Sequence, residues 1–131
     1  MVNNFDPTHI EELIGDVIYG LGVSKNVYHN RPKSSTEDLA DFVVCKVSGM
    51  ISDLRAIGQC TLSVHLFARN VQDFKNGRKL SLMQDALIHG MPRSIDDIII
   101  AGNPRIVGDT DDRTGYHVRI INYQLTLKVT T

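Results

Sequence analysis

The chain has little of what usually marks an enzyme, a secreted scaffold or a membrane protein. It holds two cysteines, Cys45 and Cys60, in 131 residues. They are too few and too far apart for a disulfide framework, a metal site or a redox motif, so reduced thiols in a cytoplasmic protein are expected. Tryptophan is absent, and no aromatic platform is interleaved with the basic residues, which counts against single-strand nucleic-acid binding. Neither sign of charge dominates. The net charge is −1, and nothing in it argues for an electrostatic grip on nucleic acid or an anionic membrane. No apolar run approaches the roughly 20 residues that span a bilayer. Met1-Val2-Asn3-Asn4-Phe5 has neither the positive start nor the apolar run of a signal peptide. A glycine-rich phosphate loop, a nucleophile elbow and an H-E-x-x-H pair are all missing.

What is present is ordinary globular composition in a length that suits one domain, residues 1–131. Asp6-Pro7 starts a helix, with Glu11 and Glu12 near its positive end. Ile10, Leu13, Ile14, Val17, Ile18 and Leu21 then form a full amphipathic stripe, and Gly20 and Gly22 supply the stop. Asn26–Asn30 is a short strand, and Lys33–Ala40 a polar loop. Asp41–Val47 is apolar on both faces, as in a central strand covered on two sides. Gln59–Arg69 alternates cleanly, with Cys60, Leu62, Val64, Leu66 and Ala68 on one face. Asn70 can cap a helix over about Val71–His89, with Leu80, Met83 and Leu87 inward. Asn76-Gly77 is also a turn signal, which would move the helix start to Arg78. Gly90-Met91-Pro92 ends it. Ile95–Ala101 and Arg105–Val107 are short strands, and Gly108–Gly115 is a polar loop or turn. The order α-β-β-β-α-β-β predicts an α+β fold. A largely antiparallel or mixed sheet of about four to five strands would pack against two helices.

The closing segment, Tyr116–Thr131, reads as one strand that changes faces. Tyr116, Val118 and Ile120 are apolar at even positions; Ile121, Tyr123, Leu125, Leu127 and Val129 are apolar at odd ones. A one-residue slip moves the apolar set to the other face. Either a β-bulge near Ile120–Asn122 restores one core face, or the two halves bury opposite faces, one of them against something other than the chain's own core. The strand also far exceeds the usual length of about 17–20 Å, which raises the question of a partner.

Few residues propose chemistry. His9, His29, His65, His89 and His117 show no pair at metal-ligand spacing, and His65 and His117 read as solvated positions on strand faces. Asp109, Asp111 and Asp112 form the one carboxylate group resembling a cation site. They lack the third spaced ligand, the turn glycine and the distal glutamate of a calcium loop, so an acidic turn balanced by Arg113 is the plainer reading. The run Arg69, Lys75, Arg78 and Lys79 could touch phosphate, although a solvated helix start is the plainer reading. Asp38 and Asp41 could pair for acid–base work, with no second group placed beside them. No cofactor and no metal is implied, and the absence of a catalytic constellation fits an assembly component better than an enzyme.

The order of motifs resembles a family. VYHNRP at Val27–Pro32 precedes DFVVCKV at Asp41–Val47. GQCTLSVHLFAR at Gly58–Arg69 runs into a helix ending MQDALIHGMP at Met83–Pro92. PRIVGDTDDRTGYHVRIINYQLTLKV then closes the chain from Pro104 to Val129. Over roughly Ile10–Val129 this is similar to the tail-completion or tail-terminator proteins of long-tailed bacteriophages, the lambda-type group. The resemblance implies an α+β subunit of a hexameric ring at the head-proximal end of the tail, assembled in the host cytoplasm. Such a ring stops tube polymerisation and docks the head connector, while DNA passes through it unread. It implies as partners further copies of the chain, the tail tube protein and the connector. It would place Tyr116, Val118, Ile120, Arg69, Asp109, Asp111, Asp112 and Arg113 at interfaces, with the Lys33–Ala40 loop as a further contact.

Three other readings stand beside this one. Another head–tail neck protein would share size and composition. A small oligomeric enzyme could assemble its site between subunits, with His65, Asp85 and Arg119 as first suspects. A nucleic-acid module is the weakest alternative, given the net charge, and predicts binding that falls steeply with salt.

Overall fold

The computed structural model describes residues 7–29, 39–48, 57–72, 74–95, 98–100, 104–111 and 115–128. Helix α1 spans Pro7–Gly20, and its stripe faces inward as the spacing predicts. Ile10, Ile14 and Ile18 are fully buried, with Leu13 and Leu21 packed at the margin. The helix closes through Leu21 N–H to Val17 O and Gly22 N–H to Tyr19 O. Gly22 sits at φ +77°, a left-handed conformation that favours glycine. Asp6 lies outside the described residues.

Strands β1 (Val27–His29), β2 (Asp41–Ser48) and β3 (Ile57–Arg69) follow, then helix α2 (Gly77–Gly90). Strands β4 (Ser94–Ile95), β5 (Ile98–Ile100), β6 (Arg105–Asp111) and β7 (Tyr116–Lys128) complete the chain. The fold is α+β, with a mixed sheet against two helices. β1 runs parallel to β2 and every other pairing is antiparallel. At the end where β2 begins, the sheet reads β1-β2-β3-β7-β6. Toward the far end of β7, β5 and β4 take the place of β6, making seven strands among the described residues. The β4–β5 hairpin arises because the expected Ile95–Ala101 strand breaks in two. β6 is longer than expected, since Gly108–Asp111 pairs with β7 instead of looping.

Helix α2 corrects one reading. Its cap is Asn76, whose Oδ1 accepts from Lys79 N at 3.2 Å, and not Asn70. Val71 and Phe74 exchange backbone hydrogen bonds of 2.8 and 2.9 Å across a tight turn, so the chain after Asn70 is already committed to a hairpin. Leu80, Met83 and Leu87 face the core. The helix ends as expected, with Met91 N–H on Leu87 O at 2.9 Å.

The sheet has two buried faces. Toward the helices lie Val43, Cys45, Leu62, Val64, Leu66, Ile121, Tyr123 and Leu125, all in the main core. Full burial of one such aliphatic side chain is worth about 1.5–3 kcal/mol. The opposite face carries a smaller core of Phe42, Val44 and Tyr116, with Tyr28, Leu39 and Phe67 against it. Phe42 stacks on Phe67 at 4.3 Å and meets Tyr116 edge-on at 5.2 Å. β2 is therefore apolar on both sides for the reason its sequence suggested.

The same arrangement settles the face switch of β7. Its register with β3 is unbroken from Ile57–Lys128 to Arg69–Tyr116, so β7 contains no bulge at Ile120–Asn122. The bulge falls in the neighbouring strand, between Ile106 and Gly108 of β6, opposite Ile120 and Ile121. The halves of β7 bury opposite faces: Ile121, Tyr123 and Leu125 under the helices, Tyr116 and Val118 on the other side. Tyr116 and Val118 are 3% and 7% exposed within the single chain, so the second face is covered without another subunit. Ile120 is half-buried.

One edge receives special treatment. β1 pairs with β2 only as far as Cys45. Past it, Glu11 of α1 reaches over and its Oε2 accepts from Val47 N–H at 2.8 Å. The acid expected to favour the helix start instead covers an open strand flank, a device that blocks edge-to-edge pairing.

Candidate interaction site

At the end of the sheet where β2 begins, side chains from β7 and from the segment just before α2 converge on Asp109 of β6. On the helix-side face the apolar row of β7 stops at Ile121 and continues as Arg119 and His117. Asp109 pairs directly across from Arg119 in β6, so its carboxylate lies among cations. His117 Nε2 stands 2.6 Å from Oδ1; Lys75 Nζ at 3.0 Å and Arg119 Nη2 at 3.3 Å reach Oδ2. Arg119 Nη1 also donates to Gln84 Oε1 of α2 at 2.8 Å. Burial alone would raise the Asp109 pKa. Hydrogen bonds from Lys75 and His117 and the charge of Arg119 outweigh it and hold it at about 2. His117 is thus no solvated strand position: its side chain is 13% exposed. Asp109 is balanced by Lys75, His117 and Arg119, while Arg113 and Asp112 lie outside the described residues. Asp111 is exposed, paired in register with His117.

On the other face of the same end, Arg69 and Tyr116 form a clamp. They are register partners on β3 and β7. The Tyr116 hydroxyl donates to Leu39 O at 2.7 Å, and Arg69 Nε donates to the same carbonyl at 3.3 Å. Two residues singled out from sequence thus meet within one chain, tying down the chain just before β2.

A third group ties the segment after α1 to β2 and α2. Ser24 Oγ donates to Asp41 Oδ1, Asn26 Nδ2 donates to Asp41 O at 3.1 Å, and Lys79 Nζ pairs with Asp41 Oδ2 at 2.9 Å. These residues line an open cleft of about 780 Å³, with Tyr19 and Lys25 in its wall. Asp41 therefore bonds to Ser24 and Lys79; Asp38, its suggested acid–base partner, lies outside the described residues. The basic run is largely spoken for, since Lys75, Lys79 and Arg69 each hold a partner inside the chain.

The suspected enzymatic trio does not meet within the chain. His65 lies on the small-core face and Arg119 on the helix-side face, while Asp85 is exposed on α2. Burial, then nearby Lys46, pushes the His65 imidazole below its ordinary value. Among the described residues no group of three or more His, Cys, Asp or Glu side chains gathers as a metal site.

The surface around Asp109 is unusual in another way. β6 pairs with β7 on one side, and its other side is an unpaired edge among the described residues. Ile106 and Val107 at its bulge are 53% and 55% exposed. The Val71–Phe74 turn projects two more apolar side chains, Phe74 being 74% exposed. Gln72 in that turn adopts φ +51°, a left-handed strain for a residue with a side chain. Asn70 N–H to Gly115 O at 2.8 Å holds the turn to the start of β7, and Lys75–Asp109 holds it to β6. Sequence reasoning missed this arm, because Val71 and Phe74 also fit a helical reading.

No family model and no curated protein matches the sequence. Solved structures do carry the fold, 16 chains aligning with it. One of them, a protein that bears no functional name, aligns over 93% of this chain and 92% of its own, with a TM-score of 0.56 at 11% identity. At that identity the likeness speaks to fold alone. No helix among the described residues is long and apolar enough to cross a membrane.

Proposed function

We propose that this chain is a structural protein of a tailed phage or prophage, a tail-terminator-like subunit. In this reading it closes the tail tube as a ring, stops its polymerisation and joins it to the head connector. The motif order from Val27 to Val129 supports the family. The observation that carries an assembly role is the β6 edge, unpaired among the described residues, with Ile106 and Val107 exposed on it. Apolar side chains contiguous with open main-chain donors and acceptors suit contact with another protein better than contact with water. The surrounding charges are already paired to one another, which suits a stable scaffold rather than a reacting centre.

The test is the particle itself. Light scattering and negative-stain imaging of the purified protein, alone and with tail tube protein, should show rings of a single size. Rings that also shorten or cap growing tubes identify a terminator. Rings that bind only connector point to another neck protein. A strict monomer under both conditions overturns the assembly reading.

A further inference from the structure

Helix α2 opens on Gly77, yet nothing in the fold calls for glycine there. Gly77 is not among the described residues at positive φ, and a Cβ built on it would meet nothing within 4 Å. Alanine would suit the helix better. What the glycine does supply is an unshielded main-chain nitrogen next to the carboxamide of Asn76. Both residues are partly exposed. As the first residue of α2, Gly77 carries an N–H that the helical ladder does not use.

We infer that Asn76 is a self-modification site, deamidating through a cyclic imide whenever the first turn of α2 opens. Gly77 N bonds to Asn76 Cγ, and the Cγ–Nδ2 bond breaks. The Gly77 amide proton passes through water to Nδ2, which leaves as ammonia. Water then opens the imide at either carbonyl, giving aspartate or isoaspartate. The chemistry needs water alone, and glycine has no Cβ to hinder the attack. In the closed turn the reaction is held back. Asn76 Oδ1 accepts from Lys79 N, and Asn76 O accepts from Leu80 N, each at 3.2 Å. At ψ 76° Gly77 N points away from the Asn76 side chain, so the imide ring cannot close until ψ turns and the cap lets go. The two hydrogen bonds are a latch, and helix ends open locally at low cost. The products differ in what they leave behind. Aspartate keeps an acceptor for Lys79 N–H and adds negative charge at the positive end of α2. Isoaspartate lengthens the main chain by one carbon and takes the cap apart. Lys75 and Lys79 lie on either side and hold Asp109 and Asp41, so the isoaspartate form loosens both contacts.

The test is ageing of the full chain in mildly alkaline buffer, folded and in urea, beside the Gly77→Ala variant. Samples taken over weeks are digested, and the peptide holding residue 76 is resolved into its asparagine, aspartate and isoaspartate forms by chromatography and mass spectrometry. In the folded parent, residue 76 should convert to both acid forms ahead of every other asparagine. Conversion should be faster in urea, where the latch is gone. In folded Gly77→Ala, which the open space around position 77 accommodates, it should fall to the level of the other asparagines. No conversion in the folded parent overturns the site, whatever the urea sample shows. Equal rates folded and in urea overturn the latch. Conversion in folded Gly77→Ala as fast as in the parent overturns the imide route.

Discussion

The guanidinium of Arg69 lies over the ring of Tyr116, 5.4 Å from its centroid, while its Nη2 donates to the hydroxyl at 3.2 Å. Both groups also converge on the Leu39 carbonyl. Two strands and the chain leading into β2 are thereby fastened at one point. Removing the hydroxyl should show this. Tyr116→Phe keeps the ring in the small core and deletes two hydrogen bonds, at a cost of roughly 1 kcal/mol. Urea unfolding measures it, and an unchanged midpoint would mean that Leu39 is held by other contacts.

Asp109 should shape the acid limb of stability. Its folded pKa is lowered to about 2 from 3.8. Its contribution is therefore present above about pH 3.8 and is lost as pH falls through 2. The side chain is 34% exposed, so solvent screening limits the effect to roughly 1 kcal/mol. Asp109→Asn should lower the melting temperature at pH 7 and flatten its fall between pH 4 and 2. A melting curve parallel to the parent's over that range would remove Asp109 as the source.

The alkaline limb belongs to the core. Burial pushes Cys45 up to about 12, with Glu11 adding to the shift; it pushes Cys60 up to about 11 and Tyr123 up to about 12. The unfolded chain ionises these groups first, from 9.0 for the thiols and 10.0 for the phenol. Stability is therefore full below pH 9 and declines as pH rises toward 12. At pH 8 a thiol reagent should label neither cysteine in the native protein and both in denaturant.

The two asparagines before α2 should behave differently. Asn76→Ala removes the cap on Lys79 N and should cost about 1 kcal/mol. Asn70 Oδ1 is buried without a hydrogen-bond partner among the described residues, so Asn70→Ala should cost less. Equal losses in thermal melts would mean that Asn76 contributes no capping.

Relief of strain offers a gain. Gln72 at φ +51° occupies a conformation costing roughly 1–2 kcal/mol for a residue with a Cβ. Gln72→Gly should raise stability by up to about 1 kcal/mol after the extra chain entropy of glycine is counted. A lower midpoint in chemical unfolding would show that the side chain contributes more than the strain.

What could be read in the sequence was what recurs locally. The α1 stripe, the alternation of β3 and the two-sided β2 each repeat over a few residues, and each stands where expected. The Asp109 cluster could not be read, because Lys75, His117 and Arg119 meet it from separate segments. The β7 switch was visible, but its cause was not: two buried faces make a bulge in β7 unnecessary, and the bulge moves to β6. Asn70 and Asn76 both precede plausible helix starts, and only the hairpin between Val71 and Phe74 decides between them. Arg69, Tyr116 and Asp109, expected at interfaces, have their described partners inside the chain.

Glu11 gives helix α1 a second duty as a shutter. While α1 is docked, the flank of β2 at Val47 is closed to any incoming strand. Lifting α1 by local fraying would open that flank before the sheet itself came apart. The chain's resistance to aggregation is then set by how firmly one helix stays seated, and two proteins of equal global stability could differ in shelf life by that alone.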